Sequence, residues 1–183
     1  SPRCCVSLGL LFQAKGGPMV GGCCCMYCLR SGSREPLPPR TTHAQANRLE
    51  LKALVDASNA PGLIGYRGNV PVGWVSLGPR EDYAKLKRSP VMKPVDAQPV
   101  WSIICFVVPP EYRGRGVARA LLRGAMAYAK ENGATLLEAY PVDKSGRSDD
   151  DSMWFGAKSM YDSAGFKEVA RRKPRRPIVR RSP

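Results

Sequence analysis

Apolar runs bounded by turn residues predict a series of β-strands along the chain. The most apolar run covers residues 100–108, with the sequence VWSIICFVV, and predicts a buried central strand. Two shorter runs at 63–66 and 70–77 flank the turn Arg67-Gly68-Asn69 and predict a hairpin. Further short strands are predicted at 23–29, 135–140, 166–170 and 178–180.

Helical spacing predicts two amphipathic helices in the second half of the chain. The first covers residues 117–133 and ends at Asn132-Gly133, a typical stop signal. Its apolar row consists of Val117, Leu121, Ala125 and Ala129. The second is predicted over residues 152–164. Its inward residues are Trp154, Ala157, Met160, Tyr161 and Ala164.

The first third of the chain contains a further predicted helix. Thr42 is a suitable cap for a helix over residues 43–57, with Leu49 and Val55 on its apolar face. Residues 6–12 favour either a short helix or a strand. Taken together, the elements indicate an α/β fold in which helices flank a mixed, mostly antiparallel sheet.

Length and charge narrow the picture further. At 183 residues the chain fits a single domain over 1–183, whose first 40 residues are rich in Cys, Gly and Pro. The net charge of +14 favours anionic partners such as nucleic acid or a phosphorylated ligand. The clustering of six of the seven cysteines before residue 29 favours a reducing compartment, and we expect a cytoplasmic protein with no membrane span.

The segment YRGRGVA at 112–118 joins the most apolar strand to the longest helix. A helix that begins at a glycine-rich turn presents free backbone N–H groups, and its dipole favours a phosphate there. Gly114 and Gly116 let a ligand approach the backbone, and Arg113 and Arg115 add charged donors. A P-loop is excluded because Gly-Lys-Ser/Thr is absent, and Arg119 stands where a dinucleotide fingerprint needs its third glycine.

This turn resembles the Q/R-x-x-G-x-G/A signature of the GNAT acyl-CoA N-acyltransferases. A second segment, MYDSAGF at 160–166, is similar to the late helix of that family, where a tyrosine stands four residues before Gly-Phe. The element order over residues 62–170 also matches. The Cys-rich stretch 21–30 resembles the first strand of a bacterial subgroup.

The resemblance implies a site for acetyl-CoA within residues 100–170. The pyrophosphate would lie on the turn, and the pantetheine arm would pair with the end of the apolar strand, where it splays from the next strand. A backbone N–H near Val107 or Val108 would polarise the thioester carbonyl. The implied cofactor-binding residues are Phe106, Val107, Val108, Arg113, Gly114, Arg115, Gly116, Val117, Ala118 and Arg119.

The resemblance makes Tyr161 the general acid that protonates the thiolate leaving group, and a phenol near pKa 10 suits a thiol near 8.5. Glu138 is the candidate base, and alternation places it on one face of a strand with Tyr140. One position departs from the family. Trp154 stands where an asparagine that touches the cofactor is common, which puts that contact in doubt.

Other interpretations stay open beside this one. Cys25-x-x-Cys28 has zinc-like spacing, but no second Cys or His pair follows, so we expect no metal. The basic run RRKPRR at 171–176 favours either a solvated hairpin or a nucleic-acid contact. The alternatives to an acetyltransferase are therefore a nucleic-acid-binding module and a CoA-binding regulator without turnover. The amine acceptor and a homodimer are not decided by the sequence.

Overall fold

The computed structural model describes residues 2–13, 26–30, 36–144 and 153–183. Within them the chain forms six α-helices, which lie on both faces of one sheet. Their bounds are α1 Pro2–Gln13, α2 Met26–Leu29, α3 His43–Asp56, α4 Ala84–Arg88, α5 Val117–Glu131 and α6 Lys158–Ser163. Single 3₁₀ turns cover Arg80–Asp82 and Pro110–Tyr112.

Among the described residues, the sheet has six strands in the order β1-β2-β3-β4-β6-β5. Only β3 and β4 run parallel, and every other neighbouring pair is antiparallel. The strands are β1 Gly62–Arg67, β2 Val70–Pro79, β3 Trp101–Val107, β4 Leu137–Ala139, β5 Lys167–Lys173 and β6 Arg176–Arg181. The mixed, mostly antiparallel sheet expected from the sequence is confirmed, and β3 is central as predicted.

Helix α5 covers one face of the sheet, and glycines let it approach closely. A Cβ built on Gly65 would lie 3.0 Å from Leu121, and one on Gly73 would lie 2.9 Å from the same side chain. Both strand positions therefore leave room for the helix because they carry no side chain. The buried face of α5 consists of Leu121, Leu122, Ala125 and Ala129, which matches the predicted row from Leu121 onward.

Helices α1, α2 and α3 pack on the opposite face around the buried Trp74. A capping box begins α3, since the Thr42 side chain accepts from Gln45 N–H and the Gln45 side chain accepts from Thr42 N–H. The buried positions of α3 are Asn47, Leu51 and Val55, spaced by one helical turn. Our placement of Leu49 on the buried face was wrong, because it is 65 % exposed.

Two predicted elements need correction. Residues 26–29 form a helical turn rather than a strand, while residues 23–25 of that predicted strand lie outside the described part. The helix predicted over 152–164 covers only Lys158–Ser163. Gly156, whose φ is +80°, cannot continue a right-handed helix, and the backbone around it bonds to the sheet instead.

Candidate active site

Strands β3 and β4 separate at their carboxyl ends. Their parallel register covers three residue pairs, the last being Ile103 with Ala139. Strand β3 continues to Val107, still paired with β2, whereas β4 ends at Ala139. A gap therefore opens beside the second half of β3. This separation of the two strands agrees with the splayed pair that we expected from the sequence. This edge of β3 is where an extended ligand can form backbone hydrogen bonds.

The chain itself crosses the inner part of this gap with the segment 154–157. On the β3 side, Phe106 N–H donates to the Trp154 carbonyl at 2.7 Å. On the β4 side, Val142 N–H donates to the Gly156 carbonyl at 2.9 Å, and Lys158 N–H donates to the Val142 carbonyl at 3.0 Å. Trp154 thus contributes its backbone at the position where the resemblance leads one to expect an asparagine side chain.

Gly156 is needed for this crossing. Besides its left-handed backbone, it has Met160 2.7 Å and Tyr161 3.2 Å from the place where a Cβ would lie. Any side chain at residue 156 would therefore displace the first turn of α6. The sequence did carry a signal, since a glycine inside a predicted helix lowers the stability of that helix.

The outer part of the gap lies at Val108. Backbone groups along a strand alternate in direction, so Val108 N–H continues the side of β3 on which Phe106 N–H bonds to Trp154. The Val108 carbonyl accepts from Arg113 Nε at 3.0 Å. Arg113 therefore ties the turn back to the end of β3.

Beyond Arg113, the glycine-arginine turn is open. Gly114 and Gly116 have φ of +70° and +78°, and a Cβ on either would meet no atom within 4 Å. Gly116 is the N-cap of α5 and has no side-chain cap, so the first backbone N–H groups of a 15-residue helix are not capped there. Arg115 and Arg119 are exposed beside them. The arrangement suits an anion.

Tyr161 lies at the inner end of the gap. Its side chain is fully buried, and its hydroxyl donates to the Phe155 carbonyl at 3.0 Å. The ring makes edge contacts with Phe106 and Phe166. Burial raises the pKa of the Tyr161 phenol well above its usual 10, and the neighbouring Cys105 raises this pKa further. The phenol therefore keeps its proton over the whole physiological range.

Glu138 lies in a buried ion-pair network instead of facing open space. Its side chain has no exposed surface. One carboxylate oxygen accepts from Arg80 at 2.6 Å and from the Tyr140 hydroxyl at 2.6 Å, and the other accepts from Arg180 Nε at 2.8 Å. The predicted shared face of Glu138 and Tyr140 is confirmed by this contact.

The same network fastens the connection between α4 and β3. Arg180 donates to both oxygens of Asp96, at 2.6 and 3.0 Å, and Arg80 donates to the Met92 carbonyl. The hydrogen bonds from Arg180 lower the pKa of the Asp96 carboxyl. Burial, followed by the charge of Glu138, raises the pKa of Tyr140 well above its usual value. The network thus holds the 92–96 segment on the sheet.

The basic run at 171–176 forms the β5–β6 hairpin, and several of its arginines contact the protein. Arg171 pairs with Glu168 and Asp143, each at 2.7 Å. Arg172 donates to the carbonyls of Val91, Lys93 and Pro94. Arg176 stacks on the Phe155 ring, 4.3 Å from its centroid. Three arginines of this run therefore make contacts within the protein itself.

The described residues offer neither a metal site nor a membrane span. Across the described ranges, no three His, Cys, Asp or Glu side chains come together in a way that could hold a metal ion. In the same ranges, no helix has both the length and the apolar composition to cross a membrane. Cys25, one half of the zinc-like pair, lies outside the described residues.

The structure brings Phe106, Val108 and Tyr161 to the gap, and the turn at Arg113–Arg119 to its outer mouth. It places Glu138 in the ion-pair network described above. Three groups that shape the site were not predicted from the sequence: the Trp154 carbonyl, the Phe155 carbonyl and the Arg80 side chain. No local pattern reveals them, because their partners are distant in the chain.

A family model and solved structures both relate this chain to the same family. The model of the acetyltransferase (GNAT) family matches residues 27–148, about two thirds of the chain. No protein of curated function matches the sequence. Among solved structures, a protein described as a GNAT-family acetyltransferase from Desulfovibrio desulfuricans has a TM-score of 0.55 at 15 % identity, over 100 % of this chain and 94 % of that one.

Two further solved structures are similar. PH1933 from Pyrococcus horikoshii has a TM-score of 0.50 at 17 % identity, covering 77 % of this chain and 76 % of that chain. The PaiA N-acetyltransferase from Thermoplasma acidophilum, solved in complex with coenzyme A, has a TM-score of 0.48 at 16 % identity, covering 77 % and 72 %. At such identities the likeness concerns the fold.

Proposed function

Since the chain belongs to the GNAT family of acetyltransferases, we propose that it transfers an acetyl group from acetyl-CoA to a primary amine. The observation that carries the proposal is the gap between β3 and β4, with the uncapped start of α5 beside it. Acetyl-CoA has an extended pantetheine arm that suits the gap and a pyrophosphate that suits the start of α5. The amine acceptor has no assigned identity.

In this proposal the arm lies along the outer part of β3, at Val107 and Val108. The inner N–H, on Phe106, is already bonded to Trp154, so Val108 N–H is the donor for the ligand. The pyrophosphate lies on the backbone of Gly114 to Arg119, where open space surrounds both glycines. Arg115 and Arg119 supply charged donors, while Arg113 fixes the turn through the Val108 carbonyl.

The reaction we propose is direct attack in a ternary complex. The neutral amine attacks the thioester carbonyl, and the backbone N–H at Val108 stabilises the oxyanion. The C–S bond then breaks, and the hydroxyl of Tyr161 turns from the Phe155 carbonyl to give its proton to the thiolate. The nitrogen then gives its extra proton to water, and a proton from water returns to the Tyr161 phenolate, which restores the phenol.

For Glu138 the surroundings favour a positioning role over that of the base. Both of its oxygens accept hydrogen bonds from buried arginines, so neither faces the gap where the acceptor amine would have to lie. Through Arg80 and Arg180 it fixes the 92–96 segment, which borders the β4 side of the sheet. We therefore propose that a water molecule takes the proton from the amine.

The two alternatives from the sequence have less support. Arg171 and Arg172, the first residues of the basic run, bond to carboxylates and carbonyls of the chain itself, which weakens the case for a nucleic-acid module. A regulator without turnover would leave Tyr161 without a role. The expected cytoplasmic location stays a prediction.

The experiment that tests the proposal follows thiol release from acetyl-CoA with a chromogenic disulfide. A panel of amines is supplied: a polyamine, an amino acid, a peptide with a free N-terminus and one with an internal lysine. The proposal expects release that depends on one class of amine, with the acetylated product found by mass spectrometry. Cofactor binding without release for any amine would favour the regulator instead.

A further inference from the structure

A second groove lies on the other side of α5, away from the β3–β4 gap. It follows the outer edge of β1 and has a volume of about 710 Å³. Strand β1 is the end of the sheet, and no strand of the described residues pairs with its outer side. Two strands, β2 and β3, separate this edge from the gap at β4, so the groove floor and the gap are roughly 14 Å apart across the sheet. The turn at Arg115–Arg119 borders both sites.

The groove wall on the α5 side carries a row of arginines. Arg119 and Arg123 are four residues apart and lie along one side of α5, while Arg115 lines the groove from the turn before the helix. Arg67 at the end of β1 also lines the groove, and its lining contains no carboxylate. All four arginines are exposed, and none forms an ion pair with a described residue.

The floor of the groove offers backbone groups. Leu77 N–H donates to the Pro61 carbonyl across the β1–β2 pair, so the alternation turns the groups of Leu63 and Gly65 toward β2. The backbone N–H and C=O groups of Gly62 and Ile64 then point to the open edge of the sheet. Ile64 lines the groove although its side chain packs on the opposite face of the sheet, which fits a contribution from its backbone.

The two walls have matching repeats. Alternate side chains of an extended strand are about 6.8 Å apart, and residues four apart on a helix rise by about 6 Å. A strand added to β1 would therefore direct two alternate side chains toward Arg119 and Arg123 of α5. Apolar side chains on its other face would lie near Tyr66, which is 40 % exposed.

We propose that this groove binds an extended acidic polypeptide segment as an added strand on β1. The exposed edge provides backbone hydrogen bonds, as in other cases of strand addition, and the arginines select carboxylates at alternate positions. A second copy of this chain is a poor occupant, because it would bring the same four arginines to the edge. The inference does not depend on acetyl transfer.

The test uses the full chain and a fluorescein-labelled peptide of about eight residues that alternates glutamate and valine. Binding is measured by fluorescence anisotropy at moderate salt. Arg115 and Arg119 belong to the turn assigned to the cofactor, so the variant is Arg67→Glu with Arg123→Glu. The charge-matched control is Lys130→Glu with Lys167→Glu, at exposed positions that do not line the groove. Circular dichroism confirms that each variant folds.

The proposal expects saturable binding that the groove variant weakens at least roughly tenfold, about 1.4 kcal/mol, while the control variant stays within about twofold of the wild type. A peptide with proline at alternate positions, which lacks the N–H donors, is expected not to bind. Acetyl-CoA binding by the groove variant is expected to be unchanged, so a failure here is distinct from a failure of the proposed function.

Several results would overturn the inference. Equal weakening in both variants would mean that net charge alone attracts the peptide. Equal binding of the proline peptide would exclude strand addition. Tighter binding of a single-stranded oligonucleotide at the same arginines would assign the groove to nucleic acid. A dimer in sedimentation analysis that Arg67→Glu with Arg123→Glu abolishes would assign it to a second copy.

Discussion

Phe106 and Trp154 are joined by a backbone hydrogen bond of 2.7 Å across the gap between β3 and β4. This bond takes up the inner donor of β3 and leaves the outer part of the strand, at Val108, for a ligand. The gap is thus shorter than the separation of the two strands alone would suggest. It also links the chain segment before α6, which carries Tyr161, directly to the strand that we assign to the cofactor.

Hydrogen exchange at two amides tests this division of the gap. We expect the Phe106 amide to be protected in the free protein, because it is bonded to Trp154. The Val108 amide should exchange quickly at first and slow down when acetyl-CoA is added. Two-dimensional NMR follows both. Faster exchange at Phe106 on addition of the cofactor would instead mean that the ligand displaces the 154–157 segment.

The change Tyr161→Phe tests the proposed acid. Loss of the hydroxyl is expected to lower kcat by about 10²–10⁴-fold while the KM for acetyl-CoA is unchanged, since the hydroxyl acts on the leaving group. The matched control is Tyr83→Phe, which removes another buried hydroxyl, bonded to Ser76. Both variants should lose about 1 kcal/mol of stability. Equal kcat in the two variants would remove Tyr161 from the mechanism.

The pH profile provides a second check on Tyr161. Its pKa is raised above 10, so the acid form persists below that raised value and is lost only at higher pH. We therefore expect kcat/KM to rise as the acceptor amine loses its proton, with no alkaline decline up to about pH 10. An alkaline decline with a midpoint near pH 8 that Tyr161→Phe removes would contradict the burial of the phenol.

Gly156→Ala is expected to disturb both stability and catalysis. The new methyl group would meet Met160 and Tyr161, and the backbone at φ +80° disfavours any side chain. We expect a loss of about 1–3 kcal/mol and a lower kcat, because Tyr161 must move. Gly124→Ala is the control: it lies in α5 with no atom within 4 Å and should stabilise by about 0.5–1 kcal/mol. Denaturant unfolding and steady-state kinetics measure both.

Glu138→Gln distinguishes a positioning role from that of a base. The change leaves the buried Arg80 without a carboxylate and leaves Arg180 with Asp96 alone, and we expect a loss of about 3–5 kcal/mol in urea unfolding. The control Glu168→Gln, at a partly exposed pair with Arg171, should cost less than about 1 kcal/mol. In folded Glu138→Gln we expect kcat within about tenfold of the wild type and an unchanged pH profile. A loss of the acidic limb of that profile would restore Glu138 as the base.

The sequence predicted the elements with strong periodicity and failed where distant partners decide the structure. The strand ending at Val107 and the helix after Gly116 follow from one long apolar run and one regular apolar row. Residues 153–157 continue the helical spacing of α6, yet Phe106 and Val142 draw their backbone into the gap. Local patterns do not contain such partners.

The candidate site divides in the same way. The turn Gly114–Gly116 could be predicted because the glycines and the helix start are adjacent in the chain. The surroundings of Glu138 could not, because its arginine partners are 58 and 42 residues away. Tyr161 was found through a family resemblance, but its bond to the Phe155 carbonyl depends on the sharp bend at Gly156.

Calorimetric titration with acetyl-CoA tests the central claim most directly. The wild type should bind in the micromolar range, and Arg115→Glu with Arg119→Glu should weaken binding at least roughly tenfold, because the pyrophosphate loses two charged donors. The variant Lys130→Glu with Lys167→Glu carries the same net charge and should bind like the wild type. No binding by the wild type, or equal binding by all three proteins, would contradict a cofactor site at this turn.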